Sequence, residues 1–239
     1  MKITIFNGSP KAENSNTHFM VEQFTKGAQQ AGAEVENVFL AKKDIKPCKG
    51  CFSCWLKTPG NCVIKDDMAE LLEKIKGSDI LVFATPLYVD NVTGIMKIFM
   101  DRIIPVGDPH IEKDENGESV HVNKHGKAPK LVVISNCGFP EQSHFQVLEL
   151  LFKRIARNLR TEVVGEIYRG GGAILKEAPL ILKPLTMKYS KLLQKAGREI
   201  AENSRLSKET RAELEKPLIP VDTYIAAANK YFDQLLSKD

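Results

Sequence analysis

Four of the chain's five cysteines, Cys48, Cys51, Cys54 and Cys62, fall in the stretch PCKGCFSCWLKTPGNC, spaced C-x2-C-x2-C-x7-C. Three thiols at three-residue spacing can curl around one small object. Pro59-Gly60 places a tight turn that brings the fourth back, and Gly50 leaves room for close backbone approach. Compact thiolate runs of this kind are characteristic of [4Fe–4S] centres. The run differs from the ferredoxin one, because Cys62 stands further from Cys54 and precedes Val63 instead of proline. It also differs from the zinc pattern of two C-x2-C pairs a dozen or more residues apart. The N-terminal MKITIFNG has an apolar stretch too short for a secretory leader, which predicts a cytoplasmic protein, where disulfides are rare. A cluster, a zinc ion and free thiols stay open at this point.

Three other stretches carry groups that suit a ligand. NGSPKAENSNT offers the hydroxyls of Ser9, Ser15 and Thr17, the Asn16 amide and the N–H groups that open a helix. Such a set suits a phosphate dianion without requiring a paired cation, although Ser15 or Asn16 alone reads equally well as a helix N-cap. Neither a P-loop nor G-x-G-x-x-G is present. TPLYVDNVTG sets Pro86, Leu87 and Tyr88 beside Asn91, a wall for a flat ring with polar edges. SNCGFPE supplies Asn136, Cys137, Gly138 and Phe139, where glycine allows close approach. Tyr88 alone is a packed loop aromatic and Cys137 alone a small buried residue.

The elements that must position these groups alternate. KITIF, EVENVFLA, DILVFATPLY, PKLVVISNCG and TEVVGEIYR read as strands, mostly apolar runs of the kind buried on both faces. Between them, apolar residues at helical spacing mark helices through Met20, Phe24 and Ala28, through Met68, Leu71, Leu72 and Ile75, through Ile95, Ile98 and Phe99, and through Leu148, Phe152 and Ile155. This predicts an α/β fold, a flavodoxin-like doubly wound five-stranded parallel sheet. A polar insert at 106–128, a hairpin or a loop, precedes strand four. Residues 1–184 form the sheet domain on this reading. Residues 185–239 form a C-terminal helical extension, with apolar faces at Tyr189, Leu193, Ala196 and Ile200 and at Tyr224, Ala228, Tyr231 and Leu235. In an open α/β sheet, ligands lie outside the carboxyl ends of the strands. All three polar loops follow strands there, and the cysteine segment follows strand two, which places it on the same rim.

With 239 residues, 43% hydrophobic, the chain can bury a core, and its net charge of +4 is spread without a Lys/Arg stripe. Nucleic acid is disfavoured as a partner, and no apolar run is long enough to span a membrane.

GSPKAENSNT, PLYVDNVTGIMKIFMDR and SNCGFPE, in that order over about residues 1–170, resemble the NAD(P)H-dependent FMN reductases of the flavodoxin-like flavoproteins. The resemblance implies FMN, its phosphate on Ser9, Ser15, Asn16 and Thr17. Its ring would lie against Pro86, Leu87, Tyr88 and Asn91, with Asn136, Cys137 and Gly138 on the other side. It implies hydride from NAD(P)H and a second electron acceptor, a quinone, a nitro or azo compound, a flavin or an iron–sulfur partner such as ferredoxin. No side-chain acid or base is required. Asp101 and Arg102 match the family's helix-ending pair and read as structural. The cysteine motif is similar to that of the iron–sulfur flavoproteins, which would make Cys48, Cys51, Cys54 and Cys62 ligands of one [4Fe–4S] cluster. Relatives with a similar loop keep its shape without a cluster. The family also implies a homodimer or homotetramer. A non-enzymatic electron carrier exchanging single electrons with ferredoxin-like partners is the alternative, but such carriers are strongly acidic and this chain is not.

Overall fold

The computed structural model describes residues 1–122, 126, 128–176 and 178–237 of the chain. Strands β1 (Lys2–Asn7), β2 (Glu34–Phe39), β3 (Ile80–Pro86), β6 (Lys130–Asn136) and β7 (Val163–Arg169) form one sheet in the order β2-β1-β3-β6-β7, every pair parallel. This is the predicted doubly wound order, in which the chain crosses to the other side of β1 after β2. The central strands are apolar on both faces because helices cover both.

One face is closed by α1 (Asn16–Gln30) and α6 (Lys183–Asn203), whose Met20, Phe24, Tyr189, Leu193 and Ile200 share a core with Ile3, Ile5 and Val82. The other is closed by α3 (Met68–Lys76), α4 (Gly94–Asp101) and α5 (Gln146–Asn158), through Leu71, Phe99, Leu148 and Phe152 against Phe6, Phe83 and Val133. Each such buried side chain contributes about 1.5–3 kcal/mol. The helix α4 buries Met96 and Phe99, while Ile95 and Ile98 stay half-buried.

The helix α6 lies tight on α1. A Cβ at Gly27 would run into the Gln194 carbonyl, and one at Gly197 into that of Phe24. The division expected at 184/185 therefore falls at the start of a helix whose buried face belongs to the sheet's own core. Beyond it, α7 (Lys208–Glu215) is capped by the Ser207 hydroxyl, which accepts from Thr210 N at 3.1 Å. The final helix α8 (Val221–Leu236) buries Tyr224 and leaves Tyr231, Phe232, Leu235 and Leu236 exposed.

The insert carries the hairpin of β4 (Ile111–Lys113) and β5 (Ser119–His121). It is fastened to α5, where Arg157 meets Asp114 at 2.6 Å, and to the segment just after it, where Arg160 pairs with Glu112. Part of the predicted insert, 123–125 and 127, lies outside the described residues. Among the described residues no helix is long and apolar enough to cross a membrane.

Candidate active site

Three loops meet at the carboxyl ends of the adjacent strands β1, β3 and β6, and hydrogen bonds lock them together. Gly8 N donates to Ala84 O at 2.8 Å, the Thr93 hydroxyl to Gly8 O at 2.7 Å, and Leu87 N to Asn136 O at 2.8 Å. The Asn136 amide donates to Thr17 Oγ1 at 2.8 Å, joining the third loop to the first. The sequence-predicted residues Ser9, Ser15, Asn16 and Thr17, then Pro86, Leu87, Tyr88 and Asn91, then Asn136, Cys137 and Gly138 thus share one edge of the sheet.

The first loop is a donor-rich cradle. Ser15 is the N-cap of α1: its hydroxyl donates to Ala12 O at 2.7 Å and accepts from His18 N at 3.0 Å. The cap occupies the Ser15 hydroxyl, but the N–H groups of Asn16 and Thr17 in the first turn keep no partner among the described residues. The same holds for the buried Ser9 hydroxyl, and for the Asn7 Nδ2, fully buried beside it, whose Oδ1 accepts from Ser9 N. What is left over is a set of donors at the positive end of a helix, which favours an anion.

The second loop makes a tight turn. Tyr88 and Asn91 exchange backbone bonds of 2.9 and 3.1 Å, and the two residues between them, Val89 (φ 49°) and Asp90 (φ 53°), are both left-handed. Val89 is almost wholly exposed and Tyr88 half so. The third loop continues from Asn136 and Cys137, both buried, to exposed Phe139, which stacks on His144 at 4.7 Å. Burial pushes the Cys137 thiol up to about 11, and its Sγ donates to Phe139 O at 3.1 Å, so this cysteine is a protonated packing residue at neutral pH.

The cysteine segment is differently placed. Asp44 N donates to Asp67 Oδ2 at 2.9 Å and Asp67 N returns to Asp44 O at 3.0 Å, pinching the loop at the start of α3. From that neck the chain runs out alongside α4. Arg102, the C-cap of α4, is fully buried, and its guanidinium donates to both Asp66 oxygens at 2.7 and 3.0 Å and to Lys46 O at 2.6 Å. Its second nitrogen lies 3.4 Å from Cys62 Sγ. Asp101 pairs instead with Lys97 at 2.5 Å, so the helix-ending residues are structural but bond to different partners. Trp55, on the short α2 (Ser53–Leu56), donates its indole N–H to Ile104 O at 3.1 Å and Gly107 O at 2.9 Å, beyond the end of α4.

All four cysteines line one small pocket with Ile104. Arg102 lies about 12 Å of helix from Gly94 at the rim. The neck of the cysteine loop lies at the start of α3, and Cys62 lies beside Arg102, the C-cap of α4. Cys48 and Cys51 are exposed, Cys62 half-buried and Cys54 buried. Burial, then neighbouring Cys62, pushes the Cys54 thiol up, whereas hydrogen bonds from Ser53 draw Cys51 down. Among the described residues no three His, Cys, Asp or Glu side chains stand close enough to hold a metal ion.

Two further residues contribute to the site. Gly172 crowds Asn136 from the turn after β7, where a Cβ would strike the amide side chain. Lys176, from the same turn, bonds the first loop across 160 residues.

The family model for NADPH-dependent FMN reductases matches residues 1–166. The chain belongs to that family. It is 36% identical over 142 residues to an iron–sulfur flavoprotein of Archaeoglobus fulgidus, covering 59% of this chain and 58% of that protein. To an iron–sulfur flavoprotein of Methanosarcina thermophila it is 34% identical over 104 residues, 44% of this chain and 53% of the relative. The match therefore spans little more than half the length of these relatives. Among solved structures, an FMN-dependent NADH-azoreductase of Bacillus anthracis shares the fold with a TM-score of 0.62 at 20% identity, covering 84% of this chain and 99% of that one. An NAD(P)H:quinone oxidoreductase of Methanothermobacter marburgensis does so with a TM-score of 0.61 at 16% identity, covering 85% and 98%.

The residues present fit FMN. The unpartnered donors around Ser9 and the first turn of α1 suit its phosphate. The N–H groups of Val89, Asp90, Gly138 and Phe139, likewise without backbone partners among the described residues, suit the acceptors of its ring.

Proposed function

We propose that this chain is an FMN-dependent oxidoreductase that accepts hydride from NAD(P)H and passes electrons to a second acceptor. The observation that carries the reading is the donor-only cradle at α1, on the same sheet edge as the Tyr88 and Cys137 loops. FMN bound there supplies hydride acceptance and the release of electrons singly or in pairs. The chain's part is binding and orientation. The Asn7, Ser9 and Thr17 donors hold the phosphate, the Pro86–Tyr88 segment forms a wall for the ring, and the left-handed turn presents N–H groups to its polar edge. Half-exposed Tyr88 leaves an approach for a nicotinamide or an acceptor beside that wall. A small-molecule donor and acceptor using one space in turn gives a ping-pong scheme.

The second part of the reading is that Cys48, Cys51, Cys54 and Cys62 ligate one iron–sulfur centre. It is supported by their shared pocket and by relatives bearing the name iron–sulfur flavoprotein. The thiols do not form a ligand set as they stand, so the loop beyond Arg102 must close for ligation to occur. With a centre bound, acceptors that take single electrons, ferredoxin among them, are favoured over quinones and azo compounds.

The test is anaerobic purification, an absorbance spectrum, an assay of iron, zinc and acid-labile sulfide on one sample, and stopped-flow mixing with NADH and NADPH. Bleaching of the flavin band is expected with at least one of the two. Flavin that neither nucleotide bleaches refutes the hydride-acceptor role. Flavin with iron and sulfide in equal amount supports the cluster, whereas zinc or bare thiols refute it.

A further inference from the structure

The cradle around α1 is read from its own loop as needing no paired cation, yet the fold brings one to it. The turn after β7 runs from Gly170 to Lys176 and touches the third loop at one end and the first loop at the other. At one end Gly172 packs on Asn136, whose amide donates to Thr17. At the other, Lys176 N donates to Asn16 Oδ1 at 3.1 Å, while its ammonium donates to Asn14 Oδ1 at 3.1 Å and Glu13 O at 3.3 Å. Both acceptors of the ammonium are uncharged. The carboxylate of Glu13 is turned to Lys42. Among the described residues no carboxylate pairs with Lys176, whose ammonium lies beside the loop that leads into α1. That charge is felt there: after burial and two glutamates, Lys176 is a further influence on the His18 imidazole.

We propose that Lys176 is a specificity-determining residue that reads the phosphate monoester of the flavin, selecting FMN over riboflavin. The inference rests on the FMN reading above. An ammonium held by two neutral oxygens keeps a third donor to offer, and it can exchange weak neutral acceptors for a dianion, which forms the stronger charge-assisted bond. Hydroxyls and N–H groups fix the phosphate geometrically, and the lysine supplies the charge term that a neutral flavin cannot use. Bonding to the phosphate also draws the turn after β7 onto the bound ligand, so this segment straps the cradle that its lysine completes.

The test uses the flavin-free full-length chain titrated with FMN and with riboflavin, followed by quenching of flavin fluorescence, for the parent, Lys176→Met and Lys176→Arg. Methionine keeps the length of the stem and removes the charge. The expected result is a Kd for FMN raised about tenfold by Lys176→Met, the loss of one charge-assisted bond, with the Kd for riboflavin unchanged. Lys176→Arg should keep most of the discrimination, and the gap between parent and Lys176→Met should narrow at high salt. Equal weakening toward both flavins would show that Lys176 only fastens the turn, and no weakening toward either would show that it does not meet the phosphate. A changed preference for NADPH over NADH with the FMN Kd intact would assign the cation to the dinucleotide instead. Each of these overturns the proposal. A parent chain that binds neither flavin refutes the FMN reading itself, a separate outcome visible before any variant is made.

Discussion

Arg102 and Asp66 face each other with both side chains fully buried, joined by two nitrogen–oxygen contacts of 2.7 and 3.0 Å. Burial alone would raise the Asp66 carboxyl, but Arg102 and the N–H groups of Lys46 and Met68 outweigh it and hold the group below its usual value. A carboxyl depressed in the folded state stabilises the fold fully above its unfolded value, near 4, and loses that contribution as pH falls through the folded one. Asp66→Asn is therefore expected to cost about 3 kcal/mol in urea unfolding at pH 7, since it strands a buried guanidinium. The difference from the parent should shrink as the pH is lowered below 4. A difference that stays constant with pH would show that packing, not charge, is what Asp66 provides. This pair was only half legible in the sequence. Arg102 stands out as the end of a helix, but nothing in the local pattern shows that the cysteine loop doubles back to deliver Asp66 and Lys46 to it.

At the scale of elements, the contact between α1 and α6 depends on two glycines. Gly27 and Gly197 each lie where a side chain would meet a backbone carbonyl of the opposite helix, so the helices can approach only while both are bare. Gly197→Leu should cost at least 1–3 kcal/mol by overpacking, seen as a lower midpoint in thermal unfolding. The same change at Gly117, whose Cβ would meet nothing within 4 Å among the described residues, tests a different effect, since its φ of 77° makes any side chain strained. The polar loops were readable because each follows its strand directly, so a stretch such as NGSPKAENSNT contains both the residues and the geometry that arranges them. The role of α6 was not, because its spacing of Tyr189, Leu193 and Ile200 announces a buried face without saying against what. Lys176 was invisible for a related reason, as its contacts join residues 160 apart in the chain.

The whole molecule has two cores, one on each side of the sheet, and an end that belongs to neither. Of α8 only Tyr224 is buried, against Gly171 in the turn after β7, while the apolar side chains that follow remain exposed. Native-state hydrogen exchange should show α6 protected to the level of the central strands and α8 opening at far lower free energy. Equal protection in both helices would mean that α8 is covered in solution by something outside this chain, of which a second copy is the simplest instance. Periodicity alone describes α6 and α8 alike, and tertiary contact separates them.

The turn at Val89 and Asp90 has a consequence for how tightly a ring can be held. Two left-handed residues in succession favour Asn-Gly, and a β-branched residue in that conformation costs about 1 kcal/mol or more. That cost falls on the folded chain before any ligand arrives, and the cores on either side of the sheet absorb it. Under the proposed function, the flavin ring would meet a turn whose backbone conformation is set before it arrives. In thermodynamic terms, the strain exchanges folding stability for a smaller entropy loss on association.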